Sequence, residues 1–154
     1  DWRRLAWLIT AFTVGHSLTL SLTALGIPGP GERLVELAVA GTIVFTAVLN
    51  LVPWKRPRSS VHFALAASFG LIHGWAFSNF FRSLQLSDEY LGDLLVQLFA
   101  FNLGVEAGQL LGLAVLMATA LVFINGLGLK LRYWTIILSL IGMSLSILML
   151  VERL

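Results

Sequence analysis

Two imidazoles and a carboxylate stand in stretches of this chain that otherwise suit hydrocarbon. His16 lies in "FTVGHSLTL" beside Thr13, Ser17 and Thr19, His73 lies in "FGLIHGWAF", and Glu106 lies in "FNLGVEAGQ" between Asn102 and Gln109. The chain has no cysteine, so no thiolate can join them. Imidazole nitrogen with carboxylate oxygen is a donor set for a borderline divalent metal: Ni²⁺, Zn²⁺, Co²⁺ or Fe²⁺. His16, His73 and Glu106, with Glu36 as an auxiliary donor, are therefore the candidate metal ligands. Asn102, Gln109, Thr13, Thr19 and Asn50 are the amides and hydroxyls that would orient them. A proton relay uses the same residue types, and any one of these groups can instead simply hydrogen-bond a neighbouring helix.

Spacing supports a shared site. At 1.5 Å rise per residue, His16 lies about 17 Å and His73 about 20 Å from the membrane side that holds the N-terminus. By the same measure Glu106 lies about 20 Å and Asn102 about 14 Å from the opposite side. In a hydrocarbon core about 30 Å thick, all four fall in the middle zone. Glu36 is nearer the opposite side, Asn50 is near the N-terminal side, and His62 sits at the N-terminal edge. Asn102, Glu106 and Gln109 are spaced i, i+4, i+7 and share one helix face, as Thr13 and His16, or His16 and Thr19, share theirs. An ionised Glu106 facing lipid would be very costly, so it is expected either to point inward with a partner or to be protonated and neutral. Gly70 and Gly74 enclose His73, and Gly104 and Gly108 enclose Glu106, both as small-xxx-small pairs that let backbones approach. From these pairs we expect helices three and four to pack tightly where His73 and Glu106 meet.

The elements that must position these residues are transmembrane helices. Of the 154 residues, 58% are hydrophobic and only 12% charged, about half the charged share usual for a soluble domain. No Asp, Glu, Lys or Arg occurs from Leu5 to Gly31, Leu37 to Trp54, Ser59 to Phe81, Ala107 to Leu129, or Tyr133 to Val151. Each run can supply the roughly 20 apolar residues of a span, and a helix satisfies its own backbone in lipid. The fold class expected is all-α: one polytopic transmembrane bundle of five helices, at about 5–25, 33–51, 60–84, 92–124 and 133–151. The fourth is long for one span and should tilt or protrude. Helix five carries only Ser and Thr as polar groups and reads as scaffold. The first run is longer than a signal-peptide core and lacks an Ala-x-Ala site.

Loop charge orients the bundle. Arg3, Arg4, Lys55, Arg56, Arg58, Lys130 and Arg132 fall on the N-terminal side, against Arg33, Arg82 and Arg153 opposite. The positive-inside rule then puts the N-terminus of this chain in the cytoplasm. Trp2, Trp54 and Trp134 suit an interfacial belt on that side. The basic residues line membrane edges and form no single patch, so lipid, and not nucleic acid, is the expected surrounding.

The blocks "TAFTVGHSLTLSLTALG", "VELAVAGTIVFTAVLN", "FGLIHGWAF" and "FNLGVEAGQ" resemble, in that order, the motif blocks of the HupE/UreJ family of bacterial membrane proteins. Its members are associated with hydrogenase and urease accessory functions and with nickel or cobalt permeation. The resemblance implies a multi-pass protein of the bacterial inner membrane, not an enzyme, with His16, Glu36, Asn50, His73, Asn102 and Glu106 at the family's polar positions. The family usually has an earlier helix carrying a His and an Asp-His pair, so the resemblance implies either a short member or a preceding helix that would add ligands to the site.

Three functions fit these residues. The first is a permease for a divalent transition metal. The second is a non-transporting subunit or assembly factor of a larger membrane complex, with other membrane proteins as partners. The third, an intramembrane metallohydrolase, is the weakest, because Ser17 and His16 are helix neighbours that do not face each other. The expected topology has a direct check: single cysteines introduced at Lys55 and Ser87 should react with an impermeant thiol reagent from opposite sides of the membrane, and labelling of both from one side refutes it.

Overall fold

The structure, a computed structural model, describes residues 2–52, 59–84 and 91–153. The basic segment around Lys55 and the acidic segment with Asp88 and Glu89 lie outside these residues. Five helices carry the described chain: α1 Trp2–Ala24, α2 Glu32–Leu51, α3 Ser59–Leu84, α4 Leu91–Leu121 and α5 Leu131–Arg153. No strand occurs among the described residues. All five helices are long and apolar enough to cross a membrane.

The ends follow from local chemistry. Helix α1 begins at Trp2, three residues before the expected Leu5, because Arg3 and Arg4 are accepted in a first turn that projects beyond the apolar run. It closes at Gly26, which adopts φ +87°. There Ile27 N–H donates to the Leu22 carbonyl at 3.0 Å and Gly26 N–H to the Thr23 carbonyl at 3.1 Å. This paired closure needs a left-handed residue, which glycine adopts without strain. Helix α4 passes into a π-helical turn, Val122–Gly126, where Leu127 N–H donates to the Val122 carbonyl at 3.2 Å. The apolar stretch Gly92–Gly126 is 35 residues. That is about 50 Å of helix against a hydrocarbon core of about 30 Å.

The described residues form two compact units. One comprises 2–36, 59–84 and 91–109, and the other 37–52 and 110–153. In the first, α1 and α3 run side by side in the same direction. A Cβ on Gly15 would overlap the Ala67 carbonyl oxygen, one on Gly70 the Phe12 carbonyl oxygen, and one on Gly74 the His16 carbonyl oxygen and Thr19 Oγ1. The two backbones therefore touch where no side chain stands between them. Thr19 Oγ1 adds a bond across this contact, donating to the Leu71 carbonyl at 2.9 Å. Further along, Leu20 of α1, Phe81 of α3 and Leu98 of α4 are buried together, with Ala24, Leu94 and Phe101 packed on them. In the second unit, Gly142 of α5 faces Ile43 of α2, and Phe123 stacks on Trp134 with ring centres 5.3 Å apart. Leu103, Leu111, Leu145 and Leu148 are among many large apolar side chains left exposed. In water such a surface would associate or precipitate; in lipid it is solvated.

The structure corrects the expectation that helices three and four come together through their glycines. Gly70 and Gly74 accommodate α1. A Cβ on Gly104 or Gly108 would meet nothing within 4 Å. Helices α3 and α4 meet instead through rings: Phe101 stands 5.3 Å from Phe81, 6.2 Å from Phe80 and 6.3 Å from Phe77. Bulky side chains hold these helices apart, whereas glycine lets α1 and α3 close. Substituting Gly70→Leu should destabilise the detergent-solubilised protein by about 1–3 kcal/mol or more, since it forces a side chain into backbone. Gly104→Ala should be neutral or slightly stabilising, since alanine is the better helix former. Thermal unfolding of the two variants checks this, and equal loss in both would contradict the packing.

Candidate metal site

Helix α1 has two working faces. Phe12, Gly15 and Thr19 turn to α3. Thr13, Ser17 and Leu20 turn to α4. His16 falls between them on the helical wheel, so its ring enters the seam where α1, α3 and α4 converge. It is 0% exposed, and neither Nδ1 nor Nε2 has a hydrogen-bond partner among the described residues. A neutral imidazole carries one N–H donor and one lone pair. Burying both unpaired costs free energy that a ligand at the ring would recover.

His73 reaches the same seam from α3. Its Nδ1–H donates to the Phe69 carbonyl at 2.8 Å. Because the acceptor is a carbonyl, Nδ1 holds the proton and Nε2 keeps the lone pair, the arrangement that prepares an imidazole to bind a metal. The two histidines are bridged by the Phe12 ring, whose centre lies 6.2 Å from His16 and 5.3 Å from His73. The Phe77 ring lies 5.4 Å from His16.

The polar residues of α4 meet α1 in two places. Ser17 Oγ donates to Asn102 Oδ1 at 2.8 Å, and Asn102 Nδ2 in turn donates to the Leu98 carbonyl at 2.9 Å. Thr13 Oγ1 donates to Gln109 Oε1 at 3.4 Å, a long bond. These two links bracket Glu106, which therefore lies alongside α1 between the levels of Thr13 and Ser17. Glu106 is half-buried and makes no hydrogen bond or ion pair with another described residue.

The remaining candidates are spread more widely. Thr19 bonds across to α3 and holds the glycine contact. Glu36 is half-buried near the start of α2, in the same unit. Asn50 is exposed near the end of α2 and belongs to the other unit. His62 accepts from the Arg4 guanidinium at Nδ1, 3.2 Å away, and so ties α3 to α1 near the N-terminal edge. No three His, Asp or Glu side chains among the described residues are gathered closely enough to hold a metal ion. His16 and His73 share the seam through Phe12, and no closed cage of donors forms among the described residues.

Sequence reasoning missed the parts played by Ser17, Gly15, Phe12 and Phe77. The first was legible in retrospect: Thr13 and Ser17, at i and i+4, are the hydroxyl counterpart of the amides Asn102 and Gln109. The aromatic contacts carried no such signal in a chain rich in phenylalanine. A double-mutant cycle of Ser17→Ala with Asn102→Leu should give a coupling of about 0.5–2 kcal/mol, the range of hydrogen bonds between membrane helices. Zero coupling in unfolding measurements would mean that the pair does not hold α1 to α4.

Comparison with curated proteins and with solved structures finds no match. The family described as HupE / UreJ protein matches the chain over residues 1–153. With five apolar helices and polar motifs on α1, α3 and α4, this chain is a membrane protein that belongs to the HupE/UreJ family.

Proposed function

We propose that the protein is a permease for a divalent transition metal of the nickel or cobalt type, with His16 and His73 as central donors and Glu106 as the carboxylate that offsets the ion's charge. Glu36 acts as an access or auxiliary ligand on the side opposite the N-terminus. Asn102, Gln109, Thr13 and Thr19 hold the surrounding helices and orient the donors, and Asn50 serves near the N-terminal side. The protein sits in the bacterial inner membrane, with the N-terminus of this chain in the cytoplasm, and carries out no chemical conversion.

The single observation that carries this reading is His16: a fully buried imidazole with both nitrogens unpaired, beside a second imidazole whose Nε2 is kept free. Family membership points to the same metals. The open arrangement of the donors suits cargo better than storage. A transported ion must be bound firmly enough to enter and weakly enough to leave. Donors that gather by side-chain rotation give such a site. Protonation of Glu106 or of the imidazoles would loosen it.

Expression should raise uptake of Ni²⁺, Co²⁺ or Zn²⁺ into cells or vesicles, and unchanged flux for all three would overturn the proposal. A fixed stoichiometric partner on purification, with no flux in isolation, would favour the subunit role instead. Glu106→Ala should lower uptake more than Glu36→Ala, because Glu106 is deeper and its charge costs more to leave unpaired. Equal losses in the two variants would contradict the depth argument. His73→Gln should lose most metal affinity, since an amide is a poor donor for borderline metals.

A further inference from the structure

We infer that Phe12 and Phe77 are two gates of the imidazole pair: Phe12 closes it from the N-terminal side of the membrane and Phe77 closes it from the opposite side. The inference rests on the permease reading above and adds how its site is kept shut from both sides.

The geometry follows from the α1–α3 contact. Gly15 faces Ala67 and Leu71, Gly70 faces Phe12 and His16, and Gly74 faces His16 and Thr19. This succession runs in the same direction along both helices, so α1 and α3 are parallel and a single axial coordinate serves both. Phe12 precedes His16 by four residues on α1, about one turn or 5.4 Å toward the N-terminal side. Phe77 follows His73 by four residues on α3, about one turn toward the other side. Each ring is also turned onto the pair. Phe12 lies nearly parallel to the His16 ring, with planes 20° apart, and meets His73 in an edge contact at 60°. Phe77 meets His16 edge to face at 63°. The imidazoles therefore occupy a layer with one aromatic ring toward each side.

An ion with its water shell cannot cross an apolar ring without losing hydration, so such a ring is an effective barrier until it rotates. The two rings sit in different surroundings, and the gates require each to turn without the other. Phe12 is half-buried against α3. Phe77 is 41% exposed, with Phe101 of α4 at 6.3 Å as a ring neighbour. Opening one while the other stays shut gives the imidazole layer access to a single side at a time. With both rings in contact with His16, the imidazole is completely buried.

The test needs no metal. The chain has no cysteine, so His16→Cys creates a single thiol at the site. Its reaction with a membrane-impermeant thiol reagent is followed in sealed right-side-out and inside-out vesicles. Adding Phe12→Ala should accelerate labelling several-fold from the N-terminal side only. Adding Phe77→Ala should accelerate it several-fold from the opposite side only. Phe12→Trp and Phe77→Trp should not accelerate it from either side. If an alanine variant fails to accumulate, the corresponding leucine variant is read by the same criterion. No change from either side, or equal acceleration from both sides, overturns the gates. Because labelling does not depend on ion flux, one-sided acceleration without any metal transport would uphold the gates and reject the permease.

Discussion

The first unit depends on one close approach. Three glycines, Gly15, Gly70 and Gly74, let the backbones of α1 and α3 come into contact where any Cβ would strike a carbonyl oxygen or, at Gly74, also the Thr19 hydroxyl. Lipid supplies no hydrophobic force between helices, so contact of this kind, with a few interhelical hydrogen bonds, must hold them. Thr19 contributes such a bond to Leu71. Once α1 and α3 are joined, the position of His16 follows: it lies on α1 next to the contact face and cannot turn outward. Ser17 and Thr13 then bring α4 against the remaining side, and the seam around the imidazole is closed.

Much of this was legible in the sequence. The uncharged runs fixed the number and approximate bounds of the helices, since a charge inside a span is costly enough to leave a visible gap. The polar positions stood out for the same reason. Depth counting put His16, His73 and Glu106 in one zone, and His16 and His73 do share a ring neighbour in Phe12, while no three His, Asp or Glu among the described residues are gathered closely enough to hold a metal ion. The partner of each glycine pair was not legible. Gly70 and Gly74 enclose His73 as neatly as Gly104 and Gly108 enclose Glu106, yet the first pair is filled by α1 and the second faces open space. A small-residue pattern marks a possible approach without naming the helix that makes it, because any backbone fits the gap. The rings were missed for a related reason. In so apolar a chain, Phe12 and Phe77 differ from other phenylalanines only in what stands beside them.

The arrangement also explains how ionisable groups persist in the middle of a membrane protein. Each is handled differently. His73 satisfies Nδ1 within its own helix, at Phe69. Glu106 is half-buried on a face fixed by amides one turn away on each side. His16 receives no such help from the described residues, and aromatic rings surround it. A residue kept only to join helices would have at least one nitrogen engaged, as Thr19 and Ser17 have their hydroxyls engaged. The unpaired imidazole is therefore the feature that asks for a ligand.

Metal content is the most direct measure of that claim. Protein purified in mild detergent after growth with nickel and cobalt is analysed for bound metal, and the apo-protein is then titrated with Ni²⁺ beside His16→Ala and His73→Ala variants of equal thermal stability. Saturable binding by the unmodified chain, lost in both variants, is the expected result. Equal binding in all three proteins, or no binding by the unmodified chain, would contradict it.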